Sequence, residues 1–396
     1  MMFNHSQMTT SRPAPPLFET PPLDERELAV LAEIDGMRQA LRFKLGESRR
    51  WNGSLRRTTL ARNIQGSNSI EGYDAPLDDA DAVVLGEDPL DADTETRLAL
   101  EGYRTAMTYV LQLAQDDDLT VSADLIKSLH FMMTSYDLSV RPGRWRAGPI
   151  YVQREYTGEI VHEGADLSQV PKLMSALVAQ LGEDDGPALI RAAMAHLNLV
   201  MIHPFRDGNG RMARCLQSLV LASDGGSLSP VFLSIEEHLG RNTQTYYDVL
   251  GQVGGGSWQP DRDARPWIRF TLTAHLRQAQ TIQRRIQAIE RVWVELERLT
   301  RDEKLAERTI YVLVDATLGY RVRRATYMAA LAEADEAVSE QTATRDLAAL
   351  ADAGLLLPQG DKRGRTYIAG DTLRSIADHA RRTRAPKDFS DPFGTG

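Results

Sequence analysis

The chain is organised around the stretch His203-Pro204-Phe205-Arg206-Asp207-Gly208-Asn209-Gly210-Arg211-Met212-Ala213-Arg214. Residues 188–201 before it are largely apolar and free of Gly and Pro, so they predict a buried helix, which Pro204 would end. Gly208-Asn209-Gly210 gives the backbone the freedom to direct successive N–H groups at an anion. An apolar helix is expected to resume from Arg211, and its N-terminus would point its partial positive charge at the same anion.

Four side chains of this stretch suit the handling of a polyphosphate. Arg211 and Arg214 are three residues apart, so they share a helix face and could bind neighbouring phosphates. Asp207 is placed to hold a magnesium ion that bridges phosphates, and His203 has the near-neutral pKa of a base for an incoming hydroxyl. Taken singly, a Gly-Asn-Gly turn is usually only a turn, and a His before Pro is more often structural. Their unbroken order predicts a nucleotide-chemistry site.

The same string resembles the signature of the Fic family, His-Pro-Phe-x-Asp/Glu-Gly-Asn-Gly-Arg-x-x-Arg, at every defined position. The resemblance implies an enzyme that transfers the AMP part of ATP, with Mg²⁺, to a Ser, Thr or Tyr hydroxyl of a protein. By position, His203 would activate the target hydroxyl, Asp207 would hold magnesium and Arg214 would bind the terminal phosphate. The implied nucleotide-binding residues are Arg206, Asp207, Gly208, Asn209, Gly210, Arg211 and Arg214. The resemblance covers roughly residues 60 to 275.

Upstream, Ser67-x-x-x-Glu71-Gly72 resembles the inhibitory motif of Fic enzymes that carry their own brake, Ser/Thr-x-x-x-Glu-Gly/Asn. By itself the segment 61–72 reads as a capped or fraying helix end. In the inhibited family members, a helix-borne carboxylate at the position of Glu71 would face Arg214 and take the partner that the terminal phosphate needs. The resemblance therefore implies the class whose inhibitory helix lies N-terminal to the motif.

A short hairpin is predicted in the middle of this helical chain. The runs Ile150-Tyr151-Val152-Gln153 and 159–162 surround a Gly-containing turn. In the Fic family such a hairpin, the flap, lies beside the active site and holds a strand of the target by edge pairing, a form of β-augmentation. The alternative is a hairpin that only covers the core.

One helix is predicted from Ser234 to Leu250, and it contains Tyr246 and Tyr247. Paired tyrosines on a helix are usually one in the core and one at the surface. The Fic family places aromatic residues at about this distance to border the adenine, so the resemblance implies that both bind nucleotide. His196 is expected to be buried with a satisfied ring and without a catalytic role.

The C-terminal part resembles a winged helix-turn-helix. Helices are predicted at 307–316 and 324–332, then a helix capped by Ser339, then two strands around a basic turn. The residues that would contact DNA are Arg345, Lys362, Arg363 and Arg365. A protein-docking or dimerising module is an equal alternative, because Arg345 is the only basic residue of the 340–350 helix.

Composition sets broad limits. A chain of 396 residues with a net charge of −9 has room for two or three domains and argues against non-specific coating of nucleic acid. The single Cys215 can form no internal disulfide, and no zinc-ligand spacing is present. The N-terminal arm lacks an apolar signal core and no run is long enough to span a bilayer, so a cytoplasmic location without membrane contact is expected.

The expected fold is mainly α, a Fic helical core with a β-hairpin flap and a C-terminal winged helix. The expected boundaries are a disordered arm (1–23), a helical region with the inhibitory helix near 61–72 (24–115), the catalytic core (116–275), a connecting helix (276–305), the winged helix (306–375) and a disordered tail (376–396).

The expected function is transfer of AMP to a protein, which could be the chain itself, restrained by Glu71. Two alternatives stay open: removal of AMP or transfer of another phosphate-containing group by the same site, and a DNA-binding regulator that acts through the winged helix. A homodimer, and a DNA or protein partner of the winged helix, are further expectations.

Overall fold

The computed structural model describes residues 16–47, 49–116, 119–153, 157–183, 185–224, 228–360 and 364–394, and it is mainly helical, as predicted. The helices are α1 (Glu25–Gly46), α2 (Trp51–Ser69), α3 (Leu77–Val84), α4 (Thr94–Leu113), α5 (Ala123–Thr134), α6 (Val170–Glu183), α7 (Ala188–Ile202), α8 (Asn209–Ser223), α9 (Pro230–Leu233), α10 (Glu236–Arg241), α11 (Thr243–Gly254), α12 (Arg265–Asp302), α13 (Ile310–Thr317), α14 (Arg324–Glu333), α15 (Glu340–Asp352) and α16 (Asp371–Arg382). The strands are β1 (Tyr151–Gln153), β2 (Ile160–Glu163), β3 (Leu356–Gln359) and β4 (Thr366–Ala369).

Local sequence explains where several helices begin. Asp24 accepts a hydrogen bond from the backbone N–H of Glu27, and the Glu27 carboxylate accepts one from the N–H of Asp24, both at 2.9 Å, so α1 starts with a capping box. Helices α5 and α15 each begin with a single capping hydrogen bond. The hydroxyl of Ser122 accepts the Leu125 N–H and the hydroxyl of Ser339 accepts the Thr342 N–H, and both caps are those that the sequence predicts.

The core surrounds the signature stretch. Helices α7 and α8 lie side by side, and both are buried along nearly their whole length. The neighbouring helices α2, α4, α5, α6 and α12 cover this pair. The stretch 203–208 is therefore the connection between two central helices, and its backbone is held from both sides.

Helix α2 comes into direct backbone contact with α10. A Cβ on Gly66 would lie 2.6 Å from the carbonyl oxygen of Glu236, a separation that real Cβ atoms do not adopt. A Cβ on Gly240 would likewise lie 2.6 Å from the Cα of Gly66. The two glycines let the helices approach until their backbones touch, and this fixes the end of α2 that carries Ser67.

Strands β1 and β2 form the predicted antiparallel hairpin, with Val152 opposite His162. In the described part of the chain this is a two-stranded sheet, so the outer edge of β1 has no strand partner. A single bridge joins Glu163 to Ser257 beyond the hairpin. Residues 154–156 of the connecting turn lie outside the described residues.

The C-terminal part packs on α12, a helix of 38 residues and therefore about 57 Å long. It contains α13, α14 and α15, then the antiparallel hairpin of β3 and β4, then α16. A bridge between Val322 and Tyr367 adds a third extended segment beside β4.

Both ends differ from the prediction where they are described. Phe18 is 0% exposed, and its backbone exchanges hydrogen bonds with the Asn198 side chain on α7, so residues 16–23 are bound to the core and are no disordered arm. Helix α16 runs past residue 375, and the tail beyond it lies on α12, where Arg277 binds Asp388 at 2.7 Å. Apolar burial and ion pairing outweigh the polar composition that suggested disorder; residues 1–15 lie outside the described part.

Within the described ranges, no helix combines the length and the apolar character that crossing a bilayer requires.

Candidate active site

His203 has an unusual backbone conformation at the end of α7. Its N–H still donates to the Leu199 carbonyl at 3.0 Å, but its φ of 55° places it in the left-handed region, which is strained for a residue other than Gly. Pro204 then prevents the helix from continuing. The helix ends where the sequence predicts, and the turn directs the imidazole back across the helix end.

The His203 imidazole is fixed in one tautomer. Its Nδ1 lies 3.0 Å from the Val200 carbonyl oxygen, which can only accept, so Nδ1 carries the proton and Nε2 has a free lone pair. Burial lowers the pKa of His203 to about 4; the Val200 carbonyl opposes this, while His162 and Arg146 lower the pKa further. The ring is therefore neutral at pH 7 and can accept a proton at Nε2.

The turn after His203 is closed by Asn209. Its Oδ1 accepts the Phe205 N–H at 2.9 Å, and its Nδ2 donates to the Phe205 carbonyl, also at 2.9 Å. Gly208 takes a positive φ of 74°, and α8 begins at Asn209, two residues earlier than the predicted start at Arg211. The first N–H groups of α8 have no acceptor within the helix, so they form a place where an anion is favourable.

Arg214 is bound by the upstream segment. Its Nε donates to the Ser67 hydroxyl at 2.8 Å, and its Nη2 donates to the Ser67 carbonyl at 2.9 Å and to Glu71 Oε1 at 2.7 Å. The Arg214 side chain is only 1% exposed. Burial works against its charge, but the Glu71 carboxylate, together with Tyr246 and Tyr103, outweighs burial and raises the pKa of Arg214. The arginine is a permanent cation paired with Glu71.

Glu71 lies in a turn and not on a helix, which corrects the expectation of a helix-borne carboxylate. Helix α2 ends at Ser69, and the Glu71 N–H donates to the Asn68 carbonyl at 3.0 Å. Gly72 follows with a φ of 85°, a conformation that Gly adopts without strain. A Cβ on Gly210 would overlap the Glu71 carboxylate, so Gly at that position lets the carboxylate reach the N-terminus of α8.

Arg211, the other arginine, is covered by aromatic rings. Its Nη1 donates to the Tyr136 hydroxyl at 3.1 Å and its Nη2 to Asp207 Oδ2 at 3.2 Å, while the Tyr73 ring centre lies 5.0 Å from its guanidinium carbon. Arg211 is as buried as Arg214. Both cations that the sequence assigns to phosphate are therefore occupied by protein groups in this form.

Asp207 and Arg206 are exposed at the outer lip of the turn. Among the described residues, no group of three or more His, Cys, Asp or Glu side chains could hold a metal ion by itself. Asp207 therefore offers one carboxylate, half exposed, with one of its oxygens shared with Arg211.

His130 supports the turn and was not singled out from the sequence. Its Nδ1 accepts the Gly143 N–H at 2.9 Å, so its Nε2 carries the proton and donates to the Asp207 carbonyl at 3.0 Å. Its ring stacks on Phe205 with 3.7 Å between ring centres. Burial lowers the pKa of His130 to about 4, so this contact is neutral near pH 7. A lone His on a helix of otherwise ordinary pattern gave no signal of this role.

The two tyrosines lie in different surroundings. A break at Asn242 divides the predicted single helix into α10 and α11. Tyr246 is 1% exposed and its hydroxyl lies 3.0 Å from His196 Nε2. Its ring therefore has no exposed face against which an adenine could lie, in contrast to the prediction. Tyr247 is 43% exposed and its hydroxyl donates to the Ile70 carbonyl at 2.9 Å, beside Glu71. His196 is buried with both ring nitrogens occupied, as expected.

The hairpin lies next to His203. The ring centres of His162 on β2 and His203 are 6.4 Å apart, and His162 Nε2 donates to the Met201 carbonyl at 2.9 Å. Tyr151 and Gln153 are exposed on β1, while Ile150 and Val152 are partly covered. The structure thus brings the predicted flap segment and the imidazole together.

The structure describes two of the four predicted DNA contacts. Arg345 and Arg365 are exposed. Lys362 and Arg363 lie outside the described residues.

Comparison with known proteins agrees with this geometry. Residues 120–221 match the model of the Fic/DOC family, so this part of the chain carries a Fic domain. Two curated relatives are each called "Protein adenylyltransferase Fic". The one from Nematostella vectensis is 27% identical over 278 residues, 63% of this chain and 58% of the relative. The one from Drosophila melanogaster is 30% identical over 266 residues, 63% of this chain and 46% of the relative.

The chain thus spans about half the length of the curated relatives it matches. Among solved structures, a Fic family protein from Desulfovibrio desulfuricans aligns with a TM-score of 0.55 at 22% identity, covering 89% of this chain and 99% of that one. Fic-1 of C. elegans aligns with a TM-score of 0.50 at 23% identity, covering 67% and 73%. These similarities extend the shared fold beyond the Fic domain.

Proposed function

We propose that this protein transfers AMP from ATP to a Ser, Thr or Tyr hydroxyl of a protein. The observation that carries the proposal is the neutral His203 imidazole, with Nε2 free, beside a glycine turn that opens the N-terminus of α8. A base and an anion-binding helix end, a few residues apart, are what hydroxyl attack on a phosphate requires. The names of the curated relatives support the same activity.

The proposed step moves one proton and exchanges one phosphorus–oxygen bond. The hydroxyl oxygen attacks the α-phosphorus of ATP while its proton passes to His203 Nε2. The bond from the α-phosphorus to the bridging oxygen breaks, and pyrophosphate leaves. The N–H groups at the start of α8, with Arg211 and Arg214 once uncovered, stabilise the charge on the phosphates.

Asp207 is the residue proposed to hold Mg²⁺. Mg²⁺ is commonly bound through one or two carboxylates together with substrate phosphates, so a single half-exposed carboxylate at the lip of an anion site fits. When bound, the ion would neutralise charge on the separating phosphates. Arg211, which shares the Asp207 carboxylate, would then be free to turn to the nucleotide.

Glu71 is proposed as the brake. Its carboxylate forms an ion pair with Arg214, and it lies where an anion at the N-terminus of α8 would lie. The Tyr247 hydroxyl holds the same turn, so the exposed Tyr247 ring could border the nucleotide while its hydroxyl restrains the brake. Under this proposal, the pairing of Glu71 with Arg214 corresponds to the inhibited form.

The outer edge of β1 is proposed to pair with an extended segment of the target. Residues 150–153 have an unpaired edge close to His203, which would bring a target hydroxyl to the base.

Transfer is tested with α-labelled ATP and magnesium. We expect weak labelling of protein by the parent, strong labelling by Glu71→Gly and none by Glu71→Gly with His203→Ala. Glu303→Gly, an exposed position just after α12, is the matched control and should behave like the parent. A silent Glu71→Gly variant that still binds ATP would contradict the donor or the brake, and other labelled triphosphates and the removal of AMP would then be tested.

The C-terminal part is proposed to be a winged helix that docks a partner. The order helix, short extended segment, two helices and hairpin supports this, as does the bridge of Val322 to Tyr367. Binding of duplex DNA should weaken steeply with salt and be lost in Arg345→Glu, Arg365→Glu. Unchanged DNA binding in that variant, or none in the parent, leaves a protein partner as the function of this part.

A further inference from the structure

Arg146 is a buried cation whose partners are all carbonyl oxygens. It is 6% exposed, and its Nε donates to the His203 carbonyl at 2.9 Å. Its Nη1 donates to the Gly148 carbonyl at 2.7 Å, and its Nη2 donates to the Ala165 carbonyl. Within the described part of the chain it makes no ion pair, and Asp166 acts on it only at longer range.

Such an arrangement is unfavourable for stability alone. A buried charge without a counter-ion loses its hydration and regains only hydrogen bonds to neutral oxygens. Burial accordingly lowers the pKa of Arg146. An apolar side chain would fill the same space without this cost, so the value of the residue lies in what its three donors join.

The three carbonyls belong to two parts of the site. Gly148 precedes β1 and Ala165 follows β2, so two of the donors close the base of the hairpin. The third holds the carbonyl of His203, the residue with the left-handed backbone. The backbone N–H of Arg146 adds a bond to the Pro204 carbonyl at 2.8 Å. One planar guanidinium thus joins the hairpin to the imidazole-bearing turn.

Neighbouring contacts show how closely the two parts meet. The Ala165 N–H donates to the Ile202 carbonyl at 3.2 Å. A Cβ on Gly164 would lie 3.0 Å from the Cβ of His203. The end of the hairpin is therefore against the helix end that carries His203, with Arg146 filling the junction.

We propose that Arg146 is a positioning residue that holds His203 in its left-handed conformation and couples that conformation to the hairpin. A target strand added to β1 would then be fixed relative to Nε2 of His203 through a rigid guanidinium and not through a flexible loop. The inference rests on the proposed function, because it gives the hairpin and His203 their parts in one reaction. Arg146 itself touches no substrate.

The proposed coupling predicts an effect of replacing Arg146 that a merely structural role does not predict. If Arg146 is replaced, the His203 carbonyl loses its donor, and the turn can relax towards an unstrained conformation. The groups of α8 that would bind nucleotide are held by other contacts, which involve Asn209 and Ser67. ATP binding should therefore survive while the transfer step fails.

The test uses the full chain with Glu71→Gly, and compares Arg146→Lys, Arg146→Gln and Arg146→Met. Arg144→Gln is the matched control, because Arg144 is exposed and two residues away. Four quantities are measured: kcat of AMP transfer, the dissociation constant of ATP, the unfolding midpoint and the protonation of His203 by NMR of ¹⁵N-labelled imidazole between pH 5 and 8.

For Arg146→Gln and Arg146→Met we expect kcat to fall about a hundredfold, the cost of a misplacement of the order of 1 Å, with ATP affinity within about threefold of the control. The His203 ring, neutral throughout this range in the control, should begin to titrate. Arg146→Lys keeps a charged donor but lacks the planar fork, so it should recover about tenfold of the loss.

Unchanged kcat and an unchanged His203 ring in a folded Arg146→Met variant would overturn the proposal. So would a parallel loss of ATP binding, unfolding midpoint and kcat, which would make Arg146 purely structural. If Arg146→Met does not fold, Arg146→Lys decides by the same criteria. Transfer that persists after His203→Ala would refute the proposed function instead, while the NMR of His203 in the Arg146 variants would still test the positioning.

Discussion

Glu71 Oε1 lies 2.7 Å from Arg214 Nη2 and in contact with the backbone of Gly210, at the first turn of α8. One carboxylate thus neutralises a buried cation and also covers a helix N-terminus. Both the Arg214 cation and the N-terminus of α8 favour a negative charge at this place. A phosphate group would supply the same charge as Glu71 does.

Glu71→Gly should lower the free energy of unfolding by about 3 kcal/mol, because it leaves the Arg214 cation buried without its counter-ion. ATP should return much of that loss, since a ligand at a hundred times its dissociation constant adds about 2.7 kcal/mol. Calorimetry with and without ATP measures both effects. An unfolding midpoint equal to that of the Glu303→Gly control would show that Arg214 is solvated without Glu71.

Gly210→Ala should release the brake although it leaves Glu71 in place. The new methyl group would overlap the carboxylate, so Glu71 must withdraw from α8. Labelling should rise above that of the parent, and it should not rise further when Glu71→Gly is added. Gly251→Ala is the control, because apart from the adjoining backbone of its own helix no described heavy atom lies within 4 Å of its added Cβ. Labelling of Gly210→Ala at the parental level, with ATP still bound, would show that Glu71 does not act at the helix end.

The pH dependence of transfer should have its acid limb near the pKa of His203, about 4, and not near 6.5. The neutral ring is the base, so activity is present above this pKa and is lost as pH falls through it. The Glu71 carboxylate raises the pKa of His203, and its removal in Glu71→Gly moves the limb to lower pH. The rate profile of Glu71→Gly from about pH 3 to about pH 8 measures this. An acid limb near 6.5 would show that the base is a solvated imidazole.

The same pKa has a consequence for stability. An unfolded His203 takes up a proton near pH 6.5, whereas the folded one does so only near 4. Its contribution to stability is therefore complete above pH 6.5 and lost as the pH falls towards 4. His203→Gln should flatten the stability profile in this interval, as measured by denaturant unfolding.

Arg57 ties α2 to the C-terminal part. Its side chain is buried and binds Asp81 at 3.1 Å and also Asp315 on α13. Arg57→Met leaves two buried carboxylates without a counter-ion and should cost about 3–5 kcal/mol of unfolding free energy. The additional changes Asp81→Asn and Asp315→Asn should recover part of it. Arg62→Met on the same helix is the control, because Arg62 makes no ion pair within the described residues; an equal loss in both would contradict the prediction.

The contiguous part of the site could be predicted from its own residues. Of the residues that come from distant segments, Ser67 and Glu71 could be placed only through the family resemblance, and Arg146 and His130 could not be placed at all. Residues 203–214 follow one another, and the helices on either side have clear apolar periodicity, so the turn and its polar groups could be placed. Arg146 and His130 reach the turn from distant segments, and nothing in their own neighbourhoods distinguishes them from surface residues. Tertiary packing alone brings them in.

Smaller differences have equally local causes. Glu71 leaves the end of α2 because Gly72 allows a positive φ, and the predicted helix 234–250 breaks at Asn242. Phe18 lies in a proline-rich stretch, yet one apolar ring and one Asn198 side chain suffice to bind it to α7. Periodicity does not register single contacts of this kind.

Helix α12 has a further consequence for how the chain unfolds. It packs on α1 and α7 and also on α13 and α16, without a break over its 38 residues. A continuous helix cannot lose the partners of one half without exposing an apolar face next to the other. The protein should therefore melt in one calorimetric transition and not as separate N- and C-terminal domains. Limited proteolysis should cut its loops before it releases a stable catalytic fragment ending near residue 275.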